Sequence, residues 1–147
     1  MYQRILVATD GSELSSKAVD SAIALAGLLK AELFALKVVQ RYARSYFEGS
    51  MPIDRKEFAR IESAWVAAGQ KIIDGVVATG MMCELAVHGL VVQSDLVAET
   101  VIATAKKHGC DLIVMASHGR KGVSRLLLGS ETQHVLTHSQ VPVLVLR

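Results

Sequence analysis

The sequence lacks the features that mark membrane and secreted proteins. No apolar run approaches the ~18 residues that a membrane-spanning helix requires. After Met1 the chain passes through Tyr2-Gln3-Arg4 into a strand-like segment. This start lacks the three parts of a secretory signal, which are a charged leader, an apolar stretch and a cleavage site. We therefore expect a cytoplasmic protein with no membrane partner.

Charged residues and cysteines are present but form no organised group. The formal net charge is only +2, and the basic residues are spread along the chain instead of forming a stripe, which argues against nucleic-acid binding. The two cysteines, Cys83 and Cys110, stand singly and form no CxxC motif. We interpret both as small buried hydrophobic residues in a reducing compartment.

Hydrophobic residues, by contrast, make up 51% of the 147-residue chain, which excludes disorder and is enough for one domain with a sizeable core. Short apolar segments alternate with helical patterns. Strands are predicted at Arg4–Ala8, Leu33–Val39, Cys83–Val87 (near an edge), Leu112–Met115 and Val141–Leu146. Four helices are predicted: one from Ser12, a long one that ends at Gly80, one from Ser94 to His108, and one over 130–138. The inner face of the long helix is predicted to carry Phe58, Ile61, Trp65, Ile72 and Val76. A mobile loop is predicted at Gln40–Pro52. This alternation predicts a single-domain α/β fold: an open, mostly parallel five-stranded sheet with helices on both faces.

The segment Ala116-Ser117-His118-Gly119, followed after nine residues by Gly129-Ser130-Glu131, lies between a predicted strand and the next predicted helix. In open α/β sheets ligands bind at this edge, where a helix N-terminus offers unpaired amides to an anion. Gly119 and Gly129 would permit backbone angles and close approaches that a side chain blocks. The amides of Ser130, Glu131 and Thr132 are candidate phosphate ligands, with Arg120, Lys121 and Arg125 as sources of positive charge. The spacing is not that of a P-loop.

A purely structural interpretation of this segment stays open. Ser130 and Gln133 fit a capping box that satisfies the helix's own amides, and Gly119, Gly122 and Gly129 would then only make turns. Glu131 places a negative charge beside the proposed anion site, or else helps to hold a metal ion through water. Asp10 and Ala116 end the two strands that flank the expected crossover of the sheet, where a ligand crevice should open. Asp10 is alternatively a turn or cap residue.

Several motifs, in order, resemble the universal stress protein family: Asp10 after the first strand, Asp-Leu-Ile-Val-Met, Ser-His-Gly-Arg, Leu-Gly-Ser and Val-Pro-Val-Leu-Val. The nucleotide-binding branch of that family carries Gly-x-x-Gly, nine residues, then Gly-Ser/Thr. This chain matches the pattern at Gly119, Gly129 and Ser130 but has Ala116 in place of the first glycine. The replacement matters little if a small side chain suffices there, and much if the position needs a positive φ, where alanine costs about 1 kcal/mol.

The resemblance implies a Rossmann-like fold of the adenine nucleotide alpha hydrolase type and a site for ATP with Mg²⁺ or Mn²⁺. The residues that it places along the adenosine are Ala8, Thr9, Asp10, Val38 (through its backbone), Ala116 and Ser117. Those that it places at the phosphates are Gly119, Arg120, Gly129, Ser130, Glu131 and Thr132. It also implies a homodimer through the last strand, Val141–Leu146, whose apolar run would lie at a sheet edge.

Three functions follow as hypotheses. The leading one is an ATP-binding stress-response homodimer in which nucleotide occupancy biases interactions with an unknown protein partner. The second is slow ATP hydrolysis or phosphotransfer at the same site, for which we assign no catalytic residue. The third is a nucleotide-free dimerisation module in which Ser130 only caps its helix. We interpret His134 and His138 as surface histidines and His118 as part of the loop, and assign no metal ligands.

Overall fold

The computed structural model describes residues 1–41, 54–119 and 127–147. Strands and helices alternate along the chain. In order they are β1 (Arg4–Ala8), α1 (Glu13–Leu29), β2 (Glu32–Val39), α2 (Arg55–Met82), β3 (Val87–Gln93), α3 (Val97–Lys107), β4 (Leu112–Ala116), α4 (Ser130–His138) and β5 (Val143–Leu146). Among the described residues, no helix combines the length and apolar content needed to cross a membrane.

The five strands form one sheet in the order β3-β2-β1-β4-β5, and every neighbouring pair is parallel. The predicted α/β fold is therefore confirmed. The connections through α1 and α2 move outward on one side of β1, whereas α3 carries the chain back across to β4 on its other side. The strand order thus reverses between β1 and β4, and it is there that a ligand crevice forms in sheets of this kind.

Two apolar clusters cover the two faces of the sheet. Because side chains alternate along a strand, Ile5 and Val7 point to one face of β1 and Leu6 to the other. The first face packs on α1 and α2 through residues such as Ala22 and Ile73, and the second on α3 and α4 through Val101 and Val135. Helices therefore lie on both faces, and the core strands are buried on each side.

The third strand is displaced from its predicted place. Cys83–Val87 alternates as a strand would, yet α2 runs to Met82 and the strand covers Val87–Gln93. The helix ends in a Schellman motif: Leu85 N–H donates to Gly80 O, Glu84 N–H donates to Met81 O, and Glu84 takes a φ of 58°. Gly80 stays inside the helix, where a Cβ would collide with the Val87 side chain. The predicted helix end at Gly80 is therefore wrong, because this glycine is buried inside α2 and packs on Val87.

The first half of α2 is less buried than the sequence predicts. Its buried residues are Gly69, Ile73, Val76 and Gly80, and none lies in the first fourteen positions. A 28-residue helix is about 42 Å long, whereas eight-residue β2 spans about 26 Å, so α2 extends beyond the carboxyl edge of the sheet. Trp65, predicted as core, is consequently 42% exposed.

Three smaller expectations are corrected as well. Helix α3 begins at Val97 instead of Ser94, because Ser94 accepts from Leu96 N–H in a turn before it. The last strand is shorter than predicted and starts at Val143. Cys110 is buried as expected, and burial raises the pKa of its thiol to about 11, but Cys83 is exposed at the end of α2. The predicted loop Gln40–Pro52 lies, beyond Arg41, outside the described residues.

Candidate functional site

The ends of β1 and β4 meet at the switch point of the sheet, with Val7 beside Val114 in register. The loops that follow are in close contact there: a Cβ built on Gly119 would lie 2.6 Å from Asp10 Oδ2. Among the described glycines, positive φ occurs at Gly11 and Gly109 and not at Gly119. The expected need for unusual backbone angles at Gly119 is therefore wrong, while the expected close approach is present.

Asp10 is tied into the loop that starts α1. Its Oδ1 accepts from Ser12 N–H at 2.9 Å, which is the turn role considered as an alternative for this residue. Thr9 is buried, and its hydroxyl lies 3.0 Å from Ser15 Oγ and accepts from Gly11 N–H at 3.2 Å. The Thr9 side chain thus shapes the loop, and Asp10 presents its second oxygen to the chain that follows β4.

The N-terminus of α4 is built differently from the sequence expectation. Gly129, with φ −60° and ψ 150°, is the N-cap, so Ser130 is the first helical residue, and no side chain of the described residues caps the helix. The capping box of Ser130 and Gln133 is therefore wrong. Gly129 N–H donates to Ser117 O at 2.7 Å, and a Cβ on Gly129 would lie 3.2 Å from His118 Cα. Glycine allows the helix end to pack directly on the loop after β4.

Three amides at this helix end have no acceptor among the described residues. The first intrahelical bond runs from Gln133 N–H to Gly129 O. Within the part of the chain that the structure describes, the amides of Ser130, Glu131 and Thr132 have no protein acceptor. Such groups, backed by the helix dipole, attract anions.

The side chains of Glu131 and Thr132 bond to other parts of the fold instead of to these amides. Thr132 is buried and its hydroxyl donates to Ala116 O at 2.9 Å, which fastens α4 to the end of β4. Glu131 Oε2 accepts from Ala98 N–H at 2.8 Å, at the start of α3. The N-cap of α3, Leu96, makes no side-chain cap hydrogen bond, and Glu131 of the neighbouring helix takes this role. Its carboxylate is thereby held by α3, and a phosphate contact of Glu131 stays a prediction for its backbone amide alone.

Ala116 stands in ordinary strand conformation at the end of β4. It is buried, and the described non-glycine residues with positive φ are Lys30 and Glu84. The alanine therefore replaces a glycine at a position with no backbone strain. Ser117 is buried beside it, its N–H donating to Leu146 O at 2.7 Å and its hydroxyl lying 3.1 Å from His118 Nδ1.

The backbone N–H and C=O of Val38 face the position just beyond the end of β1. Leu36 O accepts from Thr9 N–H on the β1 side, and Val39 O accepts from Ser94 N–H on the β3 side. Backbone groups alternate along a strand, so the N–H and C=O of Val38 face the β1 side, beyond Ala8, where β1 has ended. Lys37 Nζ donates to Val38 O at 2.9 Å. We did not predict a role for Lys37; the available signal was a lysine inside an otherwise apolar strand.

The remaining candidates fall elsewhere. Arg120, Lys121 and Arg125 lie outside the described residues. On α4 the rings of His134 and His138 lie tilted by 34° with centroids 4.2 Å apart, and His134 Nε2 lies 3.5 Å from Glu99 Oε1. In the described ranges no group of three or more histidine, cysteine or acidic residues is arranged to hold a metal ion.

A groove of about 340 Å³ opens near the same edge, on the α1/α2 face of the sheet. It starts at Thr9 and Gly11 and continues between the two helices past Asp20 and Gly75. It contains none of the residues at the start of α4. The groove is therefore separate from the open amides, which lie on the α3/α4 side.

The comparisons with known proteins identify the family of the chain. The universal stress protein family model matches residues 1–147. Universal stress protein YxiE of Bacillus subtilis is 31% identical over 150 residues, covering 100% of both chains. The structure of UspA from Lactobacillus plantarum superposes with a TM-score of 0.85 at 25% identity, covering 99% of this chain and 98% of that one.

Two more distant neighbours share the fold and hold nucleotides. A universal stress protein from Archaeoglobus fulgidus in complex with dAMP has a TM-score of 0.69 at 15% identity and covers 99% of this chain and 98% of its own. A universal stress protein in complex with cAMP has a TM-score of 0.72 at 21% identity, with 99% and 97% coverage.

Proposed function

The chain belongs to the universal stress protein family, and from that premise we propose that it binds an adenine nucleotide, ATP with Mg²⁺ or Mn²⁺, across the carboxyl edge of its sheet. The observation that carries the proposal is the open N-terminus of α4, where three neighbouring amides lack a protein acceptor in the described chain. The nucleotides held by two structural neighbours, dAMP and cAMP, support it.

The polar groups at this edge follow the order of the parts of a nucleotide. Val38 offers a backbone donor and acceptor at the end of β2, Asp10 and Gly119 meet at the ends of β1 and β4, and the amides of Ser130 and its neighbours follow. Adjacent strands are about 4.8 Å apart, so β2 and β4 are separated by about 10 Å. Base, ribose and phosphates would be held in that order.

The side chains supply reasons for this orientation. The Asp10 carboxylate is a hydrogen-bond acceptor suited to ribose hydroxyls, whereas the start of α4 has the positive end of a helix dipole. A phosphate chain would be repelled by the first and attracted by the second. Glu131, held by Ala98, is not placed as a water-positioning base, so the proposal is one of binding and not of hydrolysis.

Nucleotide occupancy would act on the rest of the molecule through α4. Its start is fastened to β4 by Thr132 and Gly129, and β4 pairs directly with β5, the edge strand Val143–Leu146. A second copy pairing with β5 about a two-fold axis would cover that edge. We include in the proposal a cytoplasmic homodimer whose contacts with a protein partner respond to the bound nucleotide.

The test removes one amide with the least disturbance to the fold. Proline is tolerated at the first position of a helix, and Gly129 already has the extended conformation that precedes proline. Ser130→Pro should therefore fold but bind ATP at least about tenfold more weakly, since a hydrogen bond to a charged group is lost. Glu13→Pro, at the first position of α1, is the matched control and should leave the affinity unchanged.

Isothermal titration with ATP and Mg²⁺ gives both affinities, and extraction of the freshly purified protein shows whether an adenine nucleotide is carried through purification. A folded Ser130→Pro variant that binds ATP as tightly as the wild type would refute the phosphate site. Equal weakening in both proline variants would show a general effect on the fold instead of a local contact.

A further inference from the structure

A lysine is fixed at the polar end of β2. Lys37 Nζ donates to the carbonyl of Val38 at 2.9 Å, and the Lys37 side chain is half-buried against α2. Room for it comes from a buried glycine of that helix, because a Cβ on Gly69 would lie 3.3 Å from Lys37 Cγ and 2.7 Å from Val39 Cγ2. The packing of α2 thus directs the ammonium group to the point where the backbone of Val38 faces beyond β1.

The lysine changes which hydrogen bonds this end of the site offers. The backbone of Val38 supplies one donor and a carbonyl with two lone pairs, one of which the Lys37 ammonium takes. The ammonium is itself a donor with three N–H groups and no acceptor. An acceptor atom of a ligand placed against Val38 would therefore meet a charged donor as well as the backbone N–H.

We propose that Lys37 sets the base specificity of the site, so that a 6-oxopurine nucleotide binds as well as an adenine nucleotide; this rests on the proposed function. Adenine presents a donor amino group and an acceptor ring nitrogen, which the Val38 carbonyl and N–H match. Hypoxanthine presents a carbonyl oxygen and a protonated ring nitrogen. Its oxygen accepts from the Lys37 ammonium, and its ring N–H donates to the Val38 carbonyl, whose second lone pair remains for it.

The experiment compares ATP with ITP, which carries hypoxanthine, in three proteins. The wild type should bind both with dissociation constants within about tenfold of each other. Lys37→Met keeps the apolar stem but removes the charged donor, so it should weaken ITP binding at least about tenfold and change ATP binding by less than about threefold. Lys71→Met is the control, because Lys71 is an exposed lysine on α2, the helix that packs on Lys37. It should change neither the ATP affinity nor the ITP affinity.

The outcomes separate the two proposals. A wild type that binds ATP but discriminates against ITP by more than about a hundredfold overturns the role of Lys37 and leaves nucleotide binding in place, as does an equal change for both nucleotides in Lys37→Met. Failure to bind either nucleotide overturns the proposed function itself. Circular dichroism checks the fold; if Lys37→Met does not fold, Lys37→Gln is used with the same expectations.

Discussion

Two helix N-termini, those of α1 and α4, lie at the same edge of the sheet, and they differ in how they are capped. At α1, Ser12 is the N-cap, its hydroxyl accepts from Ser15 N–H at 3.2 Å, and Asp10 accepts from Ser12 N–H. At α4 the N-cap is Gly129, no side chain in the described part of the chain caps the helix, and Ser130 lies one position too late to do so. In the first helix a side chain satisfies one of the initial amides, that of Ser15, whereas among the described residues no side chain accepts from the initial amides of the second.

The difference teaches that a serine before an acidic residue does not by itself identify a cap. Both helices have the pair Ser-Glu, at Ser12-Glu13 and at Ser130-Glu131. At α1 the glutamate lies in the first turn of its own helix, as the dipole favours. At α4 the glutamate reaches across to Ala98 and caps α3. Packing between neighbouring helices, and not local sequence, decides which helix each polar side chain serves.

The largest expected effect comes from a side chain at the cap of α4. Gly129→Val would press a branched side chain against the backbone of Ser117 and His118, 3.2–3.3 Å from the Cβ position. We expect the free energy of unfolding, measured with urea, to fall by about 1–3 kcal/mol and ATP binding to be lost as the helix end shifts.

The control for this substitution is Gly27→Ala, because a Cβ at Gly27 has no neighbour within 4 Å. It should leave stability unchanged or raise it by about 0.5–1 kcal/mol, as alanine favours the helix. If Gly129→Val unfolds at the wild-type urea concentration, the helix end does not pack on the loop as described.

A second pair of substitutions sharpens the contrast between the serines. Ser12→Ala removes a working cap and should lower the free energy of unfolding by about 1 kcal/mol, a decrease in melting temperature of about 2–4 °C. Ser130→Ala removes no cap and should stay within about 0.5 kcal/mol of the wild type. Thermal unfolding by calorimetry without nucleotide measures both. Equal losses would mean that Ser130 caps α4 after all.

The smallest effect concerns the charge of Glu131. Glu131→Gln keeps an oxygen that accepts from Ala98 N–H but removes a negative charge near the start of α4. ATP affinity should rise about two- to fivefold, which corresponds to the 0.3–1 kcal/mol typical of a charge at a helix end. Titration with ATP measures it, and a fall in affinity would show that the carboxylate itself takes part in binding.

Glu131→Ala is the companion variant. It removes the same charge together with the bond to Ala98, so ATP affinity should rise similarly while the free energy of unfolding drops by about 0.5–2 kcal/mol. An unchanged stability would mean that α3 does not depend on this cap.

Much of the fold was predictable because its signals are local. The runs around Leu6, Leu36 and Val114 have the length and apolar content of buried parallel strands, and the first helix has a periodic apolar face. The errors occurred where local signals conflict with packing. Gly80 resembles a helix end but is a contact with Val87, and Trp65 follows a core pattern on a segment that extends past the sheet.

The sequence predicted which loops of the candidate site lie together, but not which contacts hold them there. Asp10 and Gly119 were expected at the same edge, and the structure brings them into contact. Spacing could not show that Gly119 is needed for that contact instead of for its backbone angles. Nor could it show Lys37 at the Val38 carbonyl, since that position depends on the room left by Gly69 in a helix about thirty residues later in the chain.

Taken alone, the sequence determined the alternation of strands and helices, the two apolar faces of the sheet, and the small residues that follow β1 and β4, because each depends on neighbours within a few positions. Only the tertiary structure decided where the polar side chains at the start of α4 bind, since Glu131 reaches Ala98 only after α4 packs beside α3, and Thr132 reaches Ala116 only after α4 packs on the end of β4. Hydrogen bonds act over about 3 Å, so partners distant in the chain are chosen by the sheet order.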